Sequence, residues 1–181
     1  MRPFLFPFLL LFGFVSCENQ LRSRLNAERA SEGNQASVES AAFAAVSTPY
    51  ANLFMKYERL REALSKDQLT AVGKLAKDLA GETTQLLTRP NEKSRDLLSN
   101  LNKVSFQLTQ KKDDDEIRKG FGEVSRATVV LYKKSNAKFF DYYFCPMAKD
   151  YHYWLQTKDT KIANPYMGTK MSQCGSKENL N

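Results

Sequence analysis

Between residues 48 and 136 apolar side chains recur every three or four positions in four successive runs, with short polar turns between them. A spacing of that kind places one stripe on each of four helices, and the stripes must bury against one another. The first run is Tyr50, Leu53, Phe54, Tyr57, Leu60 and Leu64, opened by Thr48-Pro49 as an N-cap followed by proline at the first helical position. Ser65-Lys-Asp-Gln68 reads as a capping box for the second. That run carries Leu69, Val72, Leu75, Ala76, Leu79, Leu86 and Leu87, weakened at Gly73 and Gly81 and broken at Arg89-Pro90-Asn91. Leu97, Leu98, Leu101, Val104 and Leu108 make the third. After the charged turn Lys111 to Asp115, Asp114 or Asp115 is the expected cap of the fourth run, Ile117, Phe121, Val124, Thr128, Leu131 and Tyr132. The expected fold class is all-α, an antiparallel up-down four-helix bundle over 48–136 followed by a loop-rich Cys/Met module over 137–176 and a disordered tail over 177–181. About 90 residues in this arrangement bury a modest core.

The two glycines of Gly120-Phe-Gly122 have a spacing reminiscent of a nucleotide loop, but they follow a helical start and no lysine occupies the phosphate position. They read as places where helices pack closely.

The N-terminal stretch reads as an address. Arg2 supplies a positive start, Phe4 to Val15 has the length of a signal-peptide core, and Phe-Val-Ser-Cys17 resembles a bacterial lipobox. The expectation is a signal peptide over 1–16, lipidation of Cys17, and a polar tether over 17–47 that holds a domain off the membrane. Cleavage near Ser16 to leave a soluble periplasmic protein is the alternative. No stretch beyond the leader is apolar enough to span a bilayer. The formal net charge is +7 with Lys, Arg, Asp and Glu interleaved, which describes a solvated surface rather than a nucleic-acid patch.

Composition changes after Lys138. The aromatic run Phe139, Phe140, Tyr142, Tyr143, Phe144 favours extended chain. It leads into Cys145-Pro146-Met147, where extended geometry with a stiff proline would turn both sulfurs to one side. Met171-Ser-Gln-Cys174 has the spacing of one helical face. The turn Asn164-Pro165-Tyr166-Met167-Gly168 between them would fold the second sulfur pair onto the first. Two thiolates and two thioethers make a soft donor set suited to reduced copper or silver. His152 is the one additional nitrogen ligand, and Trp154 and Tyr166 are candidates for packing against the site and shielding it. The same residues admit a plainer reading. Cys145 and Cys174 can form a disulfide closing a loop of about 28 residues, worth about 3–4 kcal/mol on the chain-entropy model, and Met147 and Met171 can be core filler. In that reading the module displays a tyrosine surface around Tyr143, Tyr151 and Tyr153 to a protein partner. With a single histidine and no nucleophile-base spacing, the sequence points away from an enzyme.

The pattern C-P-M-A, then W-L, then I-x-N-P-Y-x-G-x-x-M-x-x-C-G resembles the domain of unknown function 3347 family. This is a periplasmic domain often fused to CusB-type heavy-metal efflux adaptor proteins. The residues that carry it are Cys145, Pro146, Met147, Ala148, Trp154, Leu155, Ile162, Asn164, Pro165, Tyr166, Gly168, Met171, Cys174 and Gly175, with Phe121 and Ser125 in the helical part. The chain departs from that pattern at Lys149 to Tyr153, where small residues are usual, and at Ser172, where an apolar one is. The resemblance covers about Pro49 to Gly175. It implies heavy-metal handling with copper as the ion, a heavy-metal efflux complex as partner, and no enzyme activity.

Overall fold

A computed structural model describes residues 48–89 and 92–180. The leader, Cys17, the tether and the Pro90-Asn91 break lie outside the described residues. Four helices come first: α1 Ala51–Ser65, α2 Leu69–Leu87, α3 Arg95–Leu108 and α4 Asp114–Ser135. The chain then forms β1 Phe140–Phe144, β2 Tyr153–Thr157, a 3-10 turn Gly168–Met171 and β3 Ser176–Glu178. The helices pack on one another as the periodicity requires, and every apolar position named for α1 and α4 is buried. Among the described residues no helix is long and apolar enough to cross a membrane.

The expectation of an all-α chain is overturned. The three strands form one antiparallel sheet in the order β2-β1-β3, so the fold is mixed α and β. Tyr142 pairs with Leu155 and Tyr143 with Trp154 in one ladder, and Phe144 pairs with Ser176 in the other. β-Branched and aromatic residues suit a pleated, half-buried surface, and the aromatic run of β1 takes the central position. β3 is three exposed residues, Ser-Lys-Glu, with no apolar signature. Its pairing is a long-range event that its own composition does not announce.

Several local expectations are also corrected. The α1–α2 junction has no capping box: Ser65 donates its hydroxyl back to the Glu62 carbonyl, and Asp67 takes a left-handed φ of 55° that turns the chain. The cap of α4 is Asp113, whose carboxylate accepts from the backbone N–H groups of Asp115 and Glu116, one residue earlier than Asp114. Asn136, in the left-handed conformation, ends α4, as asparagine can at a helix C-terminus. Of the two close glycines, Gly120 faces Leu108 of α3, whereas Gly122 faces Tyr151 of the terminal module.

The sheet is fastened to the bundle by aromatic packing and by buried polar groups. Phe140 lies among the rings of Phe54, Tyr57 and Tyr132. Outside β1 the edge of β2 would present unpaired backbone groups, and helical side chains satisfy them. Leu155 N–H donates to the Tyr57 hydroxyl (3.2 Å), and the Ser125 and Tyr166 hydroxyls donate to the Tyr153 carbonyl (3.1 and 2.6 Å). Thr157 donates from both N–H and Oγ1 to Glu58 (3.3 and 3.1 Å). Glu58 holds Arg61 in a bidentate pair whose side chains are each only 5 % exposed, and Arg61 Nη1 reaches the Ala163 carbonyl at 2.7 Å.

Candidate functional site

The centre of the terminal module is the meeting of Cys145 and Cys174. Their Sγ atoms stand 3.0 Å apart, and both are free thiols. Cys145 directly follows β1 and is completely buried. Its N–H donates to the His152 carbonyl (2.8 Å) and its carbonyl accepts from His152 Nδ1 (3.0 Å), so the ladder is prolonged by one pair of bonds. The carbonyl can only accept, so His152 Nδ1 carries the hydrogen of this bond. The imidazole also packs against Phe144, with ring centres 5.5 Å apart.

Cys174 is brought to Cys145 by the turn at Asn164. The buried Asn164 side chain accepts from the N–H groups of Tyr166 and Met167 (2.8 and 3.1 Å) and donates to the Cys174 carbonyl at 2.6 Å. Its own N–H donates to the Ser172 carbonyl. One asparagine thus shapes the turn and ties the second cysteine to it. Gly175 allows the final approach. Its φ is +150°, and a Cβ there would lie 2.6 Å from the Trp154 ring and 3.1 Å from the Phe144 carbonyl. Trp154, fully buried, stacks on Tyr143 (5.4 Å, 19°), meets Tyr166 edge-on (6.1 Å), and donates its indole N–H to Gln156. Trp154 is therefore the packing anchor beside the second cysteine, and Tyr166 bridges from it to Phe121 of α4.

The hydrogen bond from Cys145 raises the Cys174 pKa first, with burial and the charge of Cys145 adding to it; the Met147 backbone N–H pulls the other way. Cys174 accordingly keeps its proton to a higher pH than an isolated thiol does.

The methionines stand differently from the expectation. Pro146 and Met147 form a turn, not extended chain, with Ala148 N–H donating to the Cys145 carbonyl. Cys145 points inward and Met147 outward, 58 % exposed, so the two do not share a face. Met171 ends the 3-10 turn and is 43 % exposed. Neither is core filler. The structure therefore brings together the two cysteines and sets the two thioethers on the surface of the segments that carry them. Among the described residues no group of three or more His, Cys, Asp and Glu side chains is placed to hold a metal ion. His152 is accordingly not gathered with Cys145 and Cys174 into such a group.

A tyrosine display also needs correction: Tyr143 is buried at 5 % exposure, while Tyr151 and Tyr153 are half-buried against Tyr142, Tyr166 and Arg126. A cleft of about 570 Å³ lies beside the thiols rather than at them. Met147, Met167, Arg118 and Asp67 line part of it. The last two form the second fastening of the module. Arg118 donates to the Pro165 carbonyl and to Asp67 and Asp114, and Asp67 accepts from both the N–H and the hydroxyl of Thr169. These bonds, the Thr169 hydroxyl foremost, lower the Asp67 pKa.

Sequence reasoning missed Glu58, Arg61, Asp67, Arg118 and Gln156. A signal existed for the first pair. Glu58 and Arg61 fall on the apolar stripe of α1, four residues after Phe54 and Tyr57 respectively, and a charge on the buried side of a helix implies a buried partner. Nothing comparable marks Asp67 or Gln156. Comparison with protein-family models, with curated proteins and with solved structures gives no match for this chain.

Proposed function

We propose that this protein is a cell-envelope lipoprotein that binds one soft metal ion, reduced copper or silver, at the Cys145–Cys174 thiol pair, to buffer it or hand it to an efflux system. The observation that carries the reading is the convergence of two thiols, 29 positions apart in the chain, to 3.0 Å beside two methionines that are exposed instead of packed. Thioethers left in solvent on the same two segments as a thiol pair are available for ligation, which supports this reading. Cys145 and Cys174 would hold the ion as thiolates. Met147 and Met171 would complete its sulfur shell by rotating their side chains.

The thiol separation supports a second reading. Tetrahedral ligation at about 2.3 Å per thiolate spreads two sulfurs to roughly 3.8 Å, while a disulfide draws them to about 2.04 Å. The observed distance lies between the two, so oxidation to a disulfide needs a movement of similar size to ion capture. In that reading the cysteines staple a protein-interaction module of the envelope and no metal is involved.

One titration separates them. The chain, reduced and kept anaerobic, is titrated with reduced copper against a competing chelator. One ion per chain, lost in Cys145→Ser and in Cys174→Ser and weakened about tenfold, or about 1.4 kcal/mol, in the Met147→Leu/Met171→Leu double variant, is the expected result. Failure to compete for copper together with rapid loss of both free thiols in air would overturn the metal reading in favour of the staple.

A further inference from the structure

We propose that the pole of the bundle at which residue 48 enters the fold docks on a phospholipid surface carrying anionic headgroups. In the up-down arrangement this pole gathers the start of α1, the α2–α3 connection and the end of α4. Their proximity is direct. Arg89 Nη1 donates to the Pro49 carbonyl, the Tyr50 hydroxyl donates to Glu92, and Phe54 packs on Tyr132 and Phe139. The chain returns to the same place after β2, where Lys158 N–H donates to the Phe139 carbonyl.

The pole is basic and open. Arg89, Lys93, Arg95, Lys134, Lys138 and Lys158 are all exposed. Arg89 and Arg95 direct N–H groups to backbone carbonyls of Pro49, Leu87 and Arg89, which fixes the guanidinium groups without neutralising them. The acids nearby are Glu92, Asp96 and Asp159, and Glu92 is occupied by the Tyr50 hydroxyl and the Ser94 N–H. The opposite pole is built otherwise. There Arg118 faces Asp67 and Asp114, Lys149 faces Asp115, Lys119 faces Asp150 and Lys111 faces Glu116. Six exposed cations against three acids thus give the pole at residue 48 a net positive charge, whereas the cations named at the opposite pole are each paired.

Charge complementarity and the position of residue 48 select the occupant. A basic face next to a membrane-directed segment meets the headgroups whenever the segment is held at the bilayer, and its attraction extends about one Debye length, roughly 8 Å at physiological ionic strength. The pole would lie against the lipid, and the thiol pair at the far end of β1 from Phe140 would face away from it. This inference rests on the reading of the N-terminal segment as a membrane anchor and not on what the thiols bind.

The test is an amine-labelling footprint of the full mature chain bound to vesicles of phosphatidylcholine alone or of phosphatidylcholine with phosphatidylglycerol. On the anionic vesicles the labelling of Lys93, Lys134 and Lys138 is expected to fall at least about threefold relative to Lys112 and Lys149 in the same sample. The protection should disappear in about 0.5 M salt, where the screening length is roughly 4 Å. It should also disappear in the Lys93→Glu/Lys134→Glu/Lys138→Glu variant, with the circular dichroism and Tm retained. Equal labelling on the two kinds of vesicle, or protection that survives the triple charge reversal, would overturn the proposal.

Discussion

At the scale of single residues, the module depends on positions where a side chain has no room or where one side chain serves several backbone groups. Gly175 is of the first kind. Gly175→Ala would place a methyl group into the Trp154 ring at a backbone angle of +150°. Strain and overpacking of this order cost about 2–3 kcal/mol. Since Gly175 follows Cys174 directly, the variant is expected to lower Tm and also to slow oxidation of the thiol pair, measured by timed thiol trapping. A variant that oxidised at the wild-type rate would show that the approach of Cys174 does not depend on the glycine. Asn164 is of the second kind, with turn, strand-like pairing and the Cys174 carbonyl all served by one amide.

At the scale of elements, β2 is an edge strand on the bundle side, and α1 and α4 supply the groups an adjoining strand would have supplied. The pair Glu58–Arg61 is the costliest part of that arrangement, because two charges leave water. Removal of one partner leaves the other buried and uncompensated. Glu58→Gln is therefore expected to destabilise the chain by about 3–5 kcal/mol in denaturant unfolding, more than Tyr57→Phe, which leaves the Leu155 N–H without its acceptor and costs about 1–3 kcal/mol. The reverse order would place the anchorage of the sheet in the hydroxyl network of Tyr57 and Ser125 instead.

At the scale of the whole molecule, the tyrosines tie sheet and bundle into one titrating unit. Burial raises the pKa of Tyr57 and of Tyr166 well above the usual value. In the unfolded chain these phenols lose their protons near pH 10, while the folded chain retains them. The folded state then binds more protons, and stability falls with pH by about 1.4 kcal/mol per pH unit for each such group. The contribution is complete below about pH 10 and is lost as pH rises through the folded-state values. Tm measured from about pH 9 to about pH 11 should fall less steeply in Tyr57→Phe than in the wild type. Parallel curves would mean that Tyr57 ionises in the folded protein as freely as in the unfolded one.

The sequence by itself determined the four helices, because an apolar stripe at helical spacing is a local property: the stripes of α1 and α4 are the buried faces at every named position. It also marked the two cysteines and the turn at Asn164 through composition and spacing. Only the tertiary structure decided what those parts do together. The three exposed residues of β3 form a strand because β1 is there to pair with. Met147 lies outside while Cys145 lies inside, because the Pro146-Met147 turn reverses the chain. Asp67 in α1–α2 and Arg118 in α4 hold a turn about 50 to 100 positions further along. Those interactions join residues far apart in the chain and leave no periodic trace in it. The periodic stripe follows from the geometry of one helix, whereas the site follows from the packing of all of them.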